Sequence, residues 1–223
     1  MSKLKAFVKL DFVTMKPYLT LKNMLIYVGL AVYMSVMSKN ISSAFGVGMM
    51  LATMFVSYPF ALAEKSNMDA LYVTLGLDKK TVVKGRYIFS LLLNLCMVIA
   101  TLVLSAITLT LTDSLGNLEE MWGALALSAI FLIVQSIQIP IFFKLAYTKA
   151  KFMSLLPFFL IAAFVSYFIM SAQSDGMPEA TNDFVWAIVG NAWAFGAMVV
   201  AILVVVVLVS YKLSIAFYKK REF

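Results

Sequence analysis

The sequence predicts an all-α polytopic membrane protein. Its plan is six transmembrane helices, an N-terminal interfacial amphipathic helix, and a short cytosolic helix between the second and third spans. Three observations carry this. Of 223 residues, 63% are hydrophobic and only 13% charged, too few polar groups to clothe a soluble domain. Several apolar runs are long enough to cross a bilayer. All but one of the 18 Lys and Arg residues fall in segments that alternate spans would place on one side, leaving Lys39 opposite with Asp113, Glu119, Glu120, Asp175, Glu179 and Asp183. The positive-inside rule then puts both termini in the cytosol, with the chain a single membrane-embedded domain. The net charge of +7 follows this segregation and does not point to nucleic acid.

In chain order, residues 2–16 come first. Leu4, Phe7, Val8, Phe12 and Met15 share one helical face, Lys5, Lys9, Asp11 and Lys16 the other, and Pro17 ends the pattern. Spans are expected at 21–38, 43–63, 87–112, 121–143, 152–172 and 184–211. Trp122, Trp186 and Trp193 fall toward their outer ends, as an interfacial belt requires. The last run is longer than a bilayer needs, and Gly190-Asn191 interrupts it, so 184–191 is either a re-entrant piece or part of a tilted helix. Cys96 lies in an apolar run and reads as a small packing residue. With no histidine and one cysteine, zinc hydrolysis, histidine acid–base chemistry and a disulfide framework are disfavoured. No residues mark a metal site or an intramembrane enzyme.

The connection 64–86 carries eight charges between two apolar runs. Ser66 or Asn67 can cap a short helix, with Asp69 in its first turn. Met68, Leu71, Tyr72 and Leu75 fall at i, i+3, i+4 and i+7, Gly76 is a natural stop, and Asp78 can cap the helix that runs through Val82 and Val83 into the third span. Such an amphipathic helix fits a hydrophobic groove on a partner, or packs on its own bundle or on lipid.

The pattern AEKSNMDALYVTLGLDKKTVVKGRYIF resembles the first cytosolic loop of type-2 ABC exporter permeases, in particular the small bacterial six-span permeases that include the phenol-soluble modulin exporter subunit. Glu64-Lys65, the helix around Asp69–Leu75, Leu75-Gly76 with Lys79-Lys80, and Arg86-Tyr87 occupy the places of that family's motifs, with Gly76 where proline is usual and lysines in place of the common arginine. The resemblance implies a coupling helix at about 67–76 that docks on a separate ATP-binding subunit through Met68, Asp69, Leu71, Tyr72, Leu75 and Gly76. Glu64, Lys65 and Arg86 are then charges of the cytosolic gate or loop. It also implies a second permease copy or paralogue. The chain contains no phosphate loop, so ATP and Mg are expected on the partner and no cofactor here.

On the third span Asn94, Thr101, Ser105, Thr108 and Thr112 share a face, and on the fourth Ser128, Gln135 and Gln138 nearly do. These polar faces either line a substrate cavity or bond between helices. Pro59, Pro140 and Pro157 can bend spans, and Ser42/Gly46, Gly48/Ala52 and Ala192/Gly196 permit close helix approach. No full charge is expected deep in a span, which disfavours ion-coupled transport and fits an amphipathic or lipid-like substrate; the resemblance implies amphipathic peptides or other hydrophobic compounds as cargo. The other function class is a non-transporting scaffold or sensor that recruits a cytosolic partner through 64–86.

Overall fold

The structure, a computed structural model, describes residues 3–18, 20–38, 41–112, 118–145, 147–160, 163, 167 and 192–221. The first helix, α1 (Lys3–Met15), closes in a 3-10 turn at Lys16–Tyr18, where Pro17 was expected to end it. α2 (Leu21–Ser38) follows, bent by 82° from α1. Next come α3 (Ile41–Lys65), α4 (Met68–Thr74), α5 (Lys79–Thr112), α6 (Leu118–Lys144), α7 (Tyr147–Met153) and α8 (Ala192–Lys219).

Within these, Ser43–Lys65, Lys79–Leu104, Ala124–Lys144 and Gly196–Lys219 are each long and apolar enough to cross a membrane, and the bent pair α1–α2 brings the total to as many as five among the described residues. About half of the expected fifth span, 152–172, and the 184–191 start of the sixth lie outside the described residues. So do Trp186 and the side chains of Trp122 and Trp193. α8 continues to Lys219, eight residues beyond the expected end at Tyr211, because Leu213, Ile215 and Phe217 keep supplying apolar surface past Lys212.

The bundle is built on α6, which packs against α3 and α8; α5 packs against α3, and α1 lies along α5. Gly48 on α3 meets the side chain of Thr101 on α5 so closely that a Cβ there would collide with it, which is the close approach that small residues permit. Cys96 is exposed on the outside of α5. It faces away from the core, so it does not pack inside this bundle as expected. Leu25 and Met37 on α2, and Val200 and Leu208 on α8, are likewise exposed, as helices against hydrocarbon must be.

The shared end of α1, α3, α5, α6 and α8 holds the main core, with Phe7, Met15, Phe60, Tyr72, Phe143 and Tyr218 all buried. That end also carries α4 and α7. Both described chain ends meet there: the Lys3 Nζ donates to the Gly76 carbonyl at 3.0 Å, and Arg221 reaches Asp69 at 3.4 Å.

Candidate functional site

α4 begins where Asn67 takes a left-handed φ of 48° and turns the chain away from α3. It ends at Gly76, φ 63°, with the Leu77 N–H donating back to the Tyr72 carbonyl at 3.0 Å. This is the glycine stop that the sequence predicts. Asp78 stands at the start of α5, its carbonyl accepting from Thr81 and Val82.

The expected four-residue apolar stripe of α4 is divided. Tyr72 is 2% exposed and meets Phe7 of α1 edge-on, ring centroids 5.1 Å apart, and Met68 packs on the same core. Leu71 and Leu75 point the other way, 46% and 60% exposed. A short helix held against a bundle cannot bury both halves of so wide a stripe. Asp69 accepts from the Tyr218 hydroxyl at 2.9 Å and pairs with Arg221, so it fastens α4 to the end of α8.

Arg86, expected as a loop charge, sits inside α5 and is 3% exposed. Its Nη1 lies 2.8 Å from Oδ1 of Asp11, which is 1% exposed, and its Nη2 donates to the Pro59 carbonyl at 3.2 Å. The guanidinium also stands over Phe60 and Phe7, 4.8 and 5.5 Å from their centroids. Asp11 therefore does not share the polar face of α1 that its charge implied. It lies on the i, i+4, i+8 row of Phe7 and Met15 and turns into the bundle with them. Gly85 makes room for this, since a Cβ there would run into the Phe7 ring. Arg86 Nε has no hydrogen-bond partner among the described residues, and the adjoining cavity of about 20 Å³ has room for about one water.

Glu64 accepts from the Thr148 N–H and hydroxyl at 3.0 and 2.6 Å, joining α3 to the first turn of α7. Lys65 is exposed at the end of α3. Lys79 donates to the carbonyls of Lys219 and Arg221 at the end of α8. Thus α4 and its flanks touch α1, α3, α7 and α8.

The family model described as ABC-2 family transporter protein matches residues 6–219. The chain belongs to this family. No curated protein and no solved structure matches it. An ABC-2 family chain with these apolar helices is a multi-pass membrane protein and the membrane subunit of an ABC transporter, whose partner is an ATP-binding subunit and whose ATPase activity generally resides in separate subunits.

Of the polar faces in this ABC-2 permease, the structure assigns the central ones to contacts between helices. The Gln135 amide on α6 donates to Thr53 of α3 at 3.1 Å and to Asn94 of α5 at 3.0 Å. Its carbonyl accepts from Asn94 at 2.6 Å and Ser90 at 3.0 Å. Thr101 and Ser128 bond to their own helices, and Gln138 donates to the Ser154 carbonyl at 2.7 Å. The side chains of Ser105, Thr108 and Thr112 lie outside the described residues. Gln135→Leu is expected to cost about 2 kcal/mol, from four interhelical bonds at about 0.6 kcal/mol each. Unfolding of the solubilised permease in a denaturant titration measures it, and an unmoved midpoint contradicts it.

Burial pushes the Asp11 carboxyl up from 3.8 to about 6, with the Arg86 guanidinium pulling it back down. The folded chain thus holds a proton that the unfolded chain has released. This contribution to stability is complete below about pH 4 and is lost as pH rises through about 6. Asp11→Asn is expected to flatten that part of the stability profile. Thermal unfolding between about pH 4 and 7 reads it, and a slope equal to that of the parent chain contradicts it.

Proposed function

We propose that the chain moves amphipathic peptides or other hydrophobic compounds out of a bacterial cell, driven by a separate ATP-binding subunit that docks on α4. The observation that carries this is the exposure of Leu71 and Leu75 on a helix whose opposite face is fixed to the bundle. Two apolar side chains one turn apart, presented beside exposed basic residues, are the form a groove on a partner grips. Because Tyr72 and Asp69 face inward, the groove contacts Leu71 and Leu75, while Met68, Asp69 and Tyr72 carry the motion onward to α1 and α8. Gly76 fixes where α4 stops.

ATP and Mg belong to the partner. A second permease copy or paralogue completes the transport path. The cytosolic placement of both termini rests on the segregation of Lys and Arg. Substrate class and outward direction rest on the resemblance of the 64–87 segment to the small permeases that include the phenol-soluble modulin exporter subunit.

Purification of the tagged permease from its native cells should bring down one ATPase. Inverted vesicles holding both should then accumulate a fluorescent amphipathic peptide only when ATP is supplied. An attached ATPase with no ATP-dependent movement of any amphipath would instead mark the chain as a scaffold.

A further inference from the structure

A groove of about 710 Å³, open along Met50 and Phe159, which are 57% and 70% exposed, lies between α3, α6, α7 and residues 154–159, within the range of about 300–1,000 Å³ typical of small-molecule sites. Its lining is graded along the helices. Met50, Phe131 and Phe158 line it far from the α4 end, while Tyr58, Tyr147 and Lys151 line it near that end. Met50 and Tyr58 are eight residues apart on α3, about 12 Å along the axis. Gln138 and Ser154 also face the groove but bond to one another. Among the described residues no carboxylate pairs with the Lys151 ammonium. The nearby acids are already engaged, Glu64 by Thr148 and Asp69 by Tyr218 and Arg221.

We infer that this groove binds an amphiphile with an aliphatic chain and an anionic head. The chain lies against Met50, Phe131 and Phe158, where a polar group would find no partner. The head meets the Lys151 ammonium, with the two phenols as further donors. A cation that no described carboxylate pairs with, beside an apolar slot, selects for negative charge at one end of the ligand and for hydrocarbon at the other. A bilayer lipid and a free fatty acid share this chemistry.

The test uses the purified permease alone in neutral detergent, so its failure leaves the docking of an ATPase on α4 standing. Native mass spectrometry reads retention of three probes: phosphatidylglycerol, phosphatidylcholine with the same chains, and palmitate. At least one anionic probe should be retained over phosphatidylcholine. Lys151→Gln should cut that preference about fivefold, the effect of one basic residue on an anionic headgroup, and Lys151→Arg should restore it. Met50→Trp, which fills the apolar end, should lower retention of every probe that binds. Phosphatidylglycerol alone identifies the bilayer as the source, palmitate alone a free amphiphile, and either supports the site. Equal retention of phosphatidylcholine, an anionic preference that survives Lys151→Gln, or retention unaffected by Met50→Trp overturns it.

Discussion

Leu71→Glu combined with Leu75→Glu is expected to abolish ATP-driven transport while leaving the permease folded. Both side chains are largely exposed, so charge there costs the fold little. At the centre of a docking contact, each apolar anchor is worth about 2 kcal/mol. Losing two weakens association by about a thousandfold. Co-purification of the ATPase should fail, and the purified double variant should keep the unfolding midpoint of the parent. Tyr72→Glu is the contrasting control: it places a carboxylate beside Phe7 in the core and should lower stability itself. Transport at parental rates by the Leu71/Leu75 variant would remove α4 as the point of attachment.

Arg86→Met should destabilise the permease by about 3–5 kcal/mol, the usual penalty for leaving one member of a buried ion pair behind. Asp11→Leu should cost a similar amount, because the guanidinium then stays buried without its carboxylate. The double variant Asp11→Leu with Arg86→Met is expected to regain most of the loss, since apolar side chains of similar volume replace a buried pair at little cost. Without Arg86 to pull it down, the Asp11 carboxyl is pushed up further, so the Arg86→Met deficit should shrink in acid. Denaturant titrations of all four chains give the coupling directly. Losses that simply add would show that the two residues do not act as a pair.

Features set by local backbone chemistry were readable from the sequence. The stop of α4 follows from Gly76, which takes the left-handed turn that glycine tolerates, whereas the start, expected as a cap by Ser66 or Asn67, is a left-handed turn at Asn67. The division of the α4 stripe was not readable, because which half faces inward depends on Phe7, more than sixty residues earlier in the chain. Asp11 was misplaced for a related reason. Its charge outweighed its position on the row of Phe7 and Met15, and its partner in α5 is visible only in three dimensions. A signal was present: Arg86 is the one arginine in a connection otherwise supplied with lysines, and a planar guanidinium suits a buried, stacked site better than an ammonium does. For Asn94 and Gln135 the sequence placed both on polar faces of their helices, but only the packing of α3, α5 and α6 brings those faces together.

Asp69 is held by side chains 149 and 152 residues further along. During biosynthesis α4 leaves the ribosome long before those partners exist, and so does the opening helix it packs upon. A nascent chain with only its early spans inserted holds this segment through α1 and α3 but lacks the Tyr218 and Arg221 contacts to Asp69. Under the proposed docking on α4, the motor's push reaches the Ala192–Lys219 helix only through these late-made contacts, so a chain lacking that helix should bind an ATPase without passing its motion across the bundle.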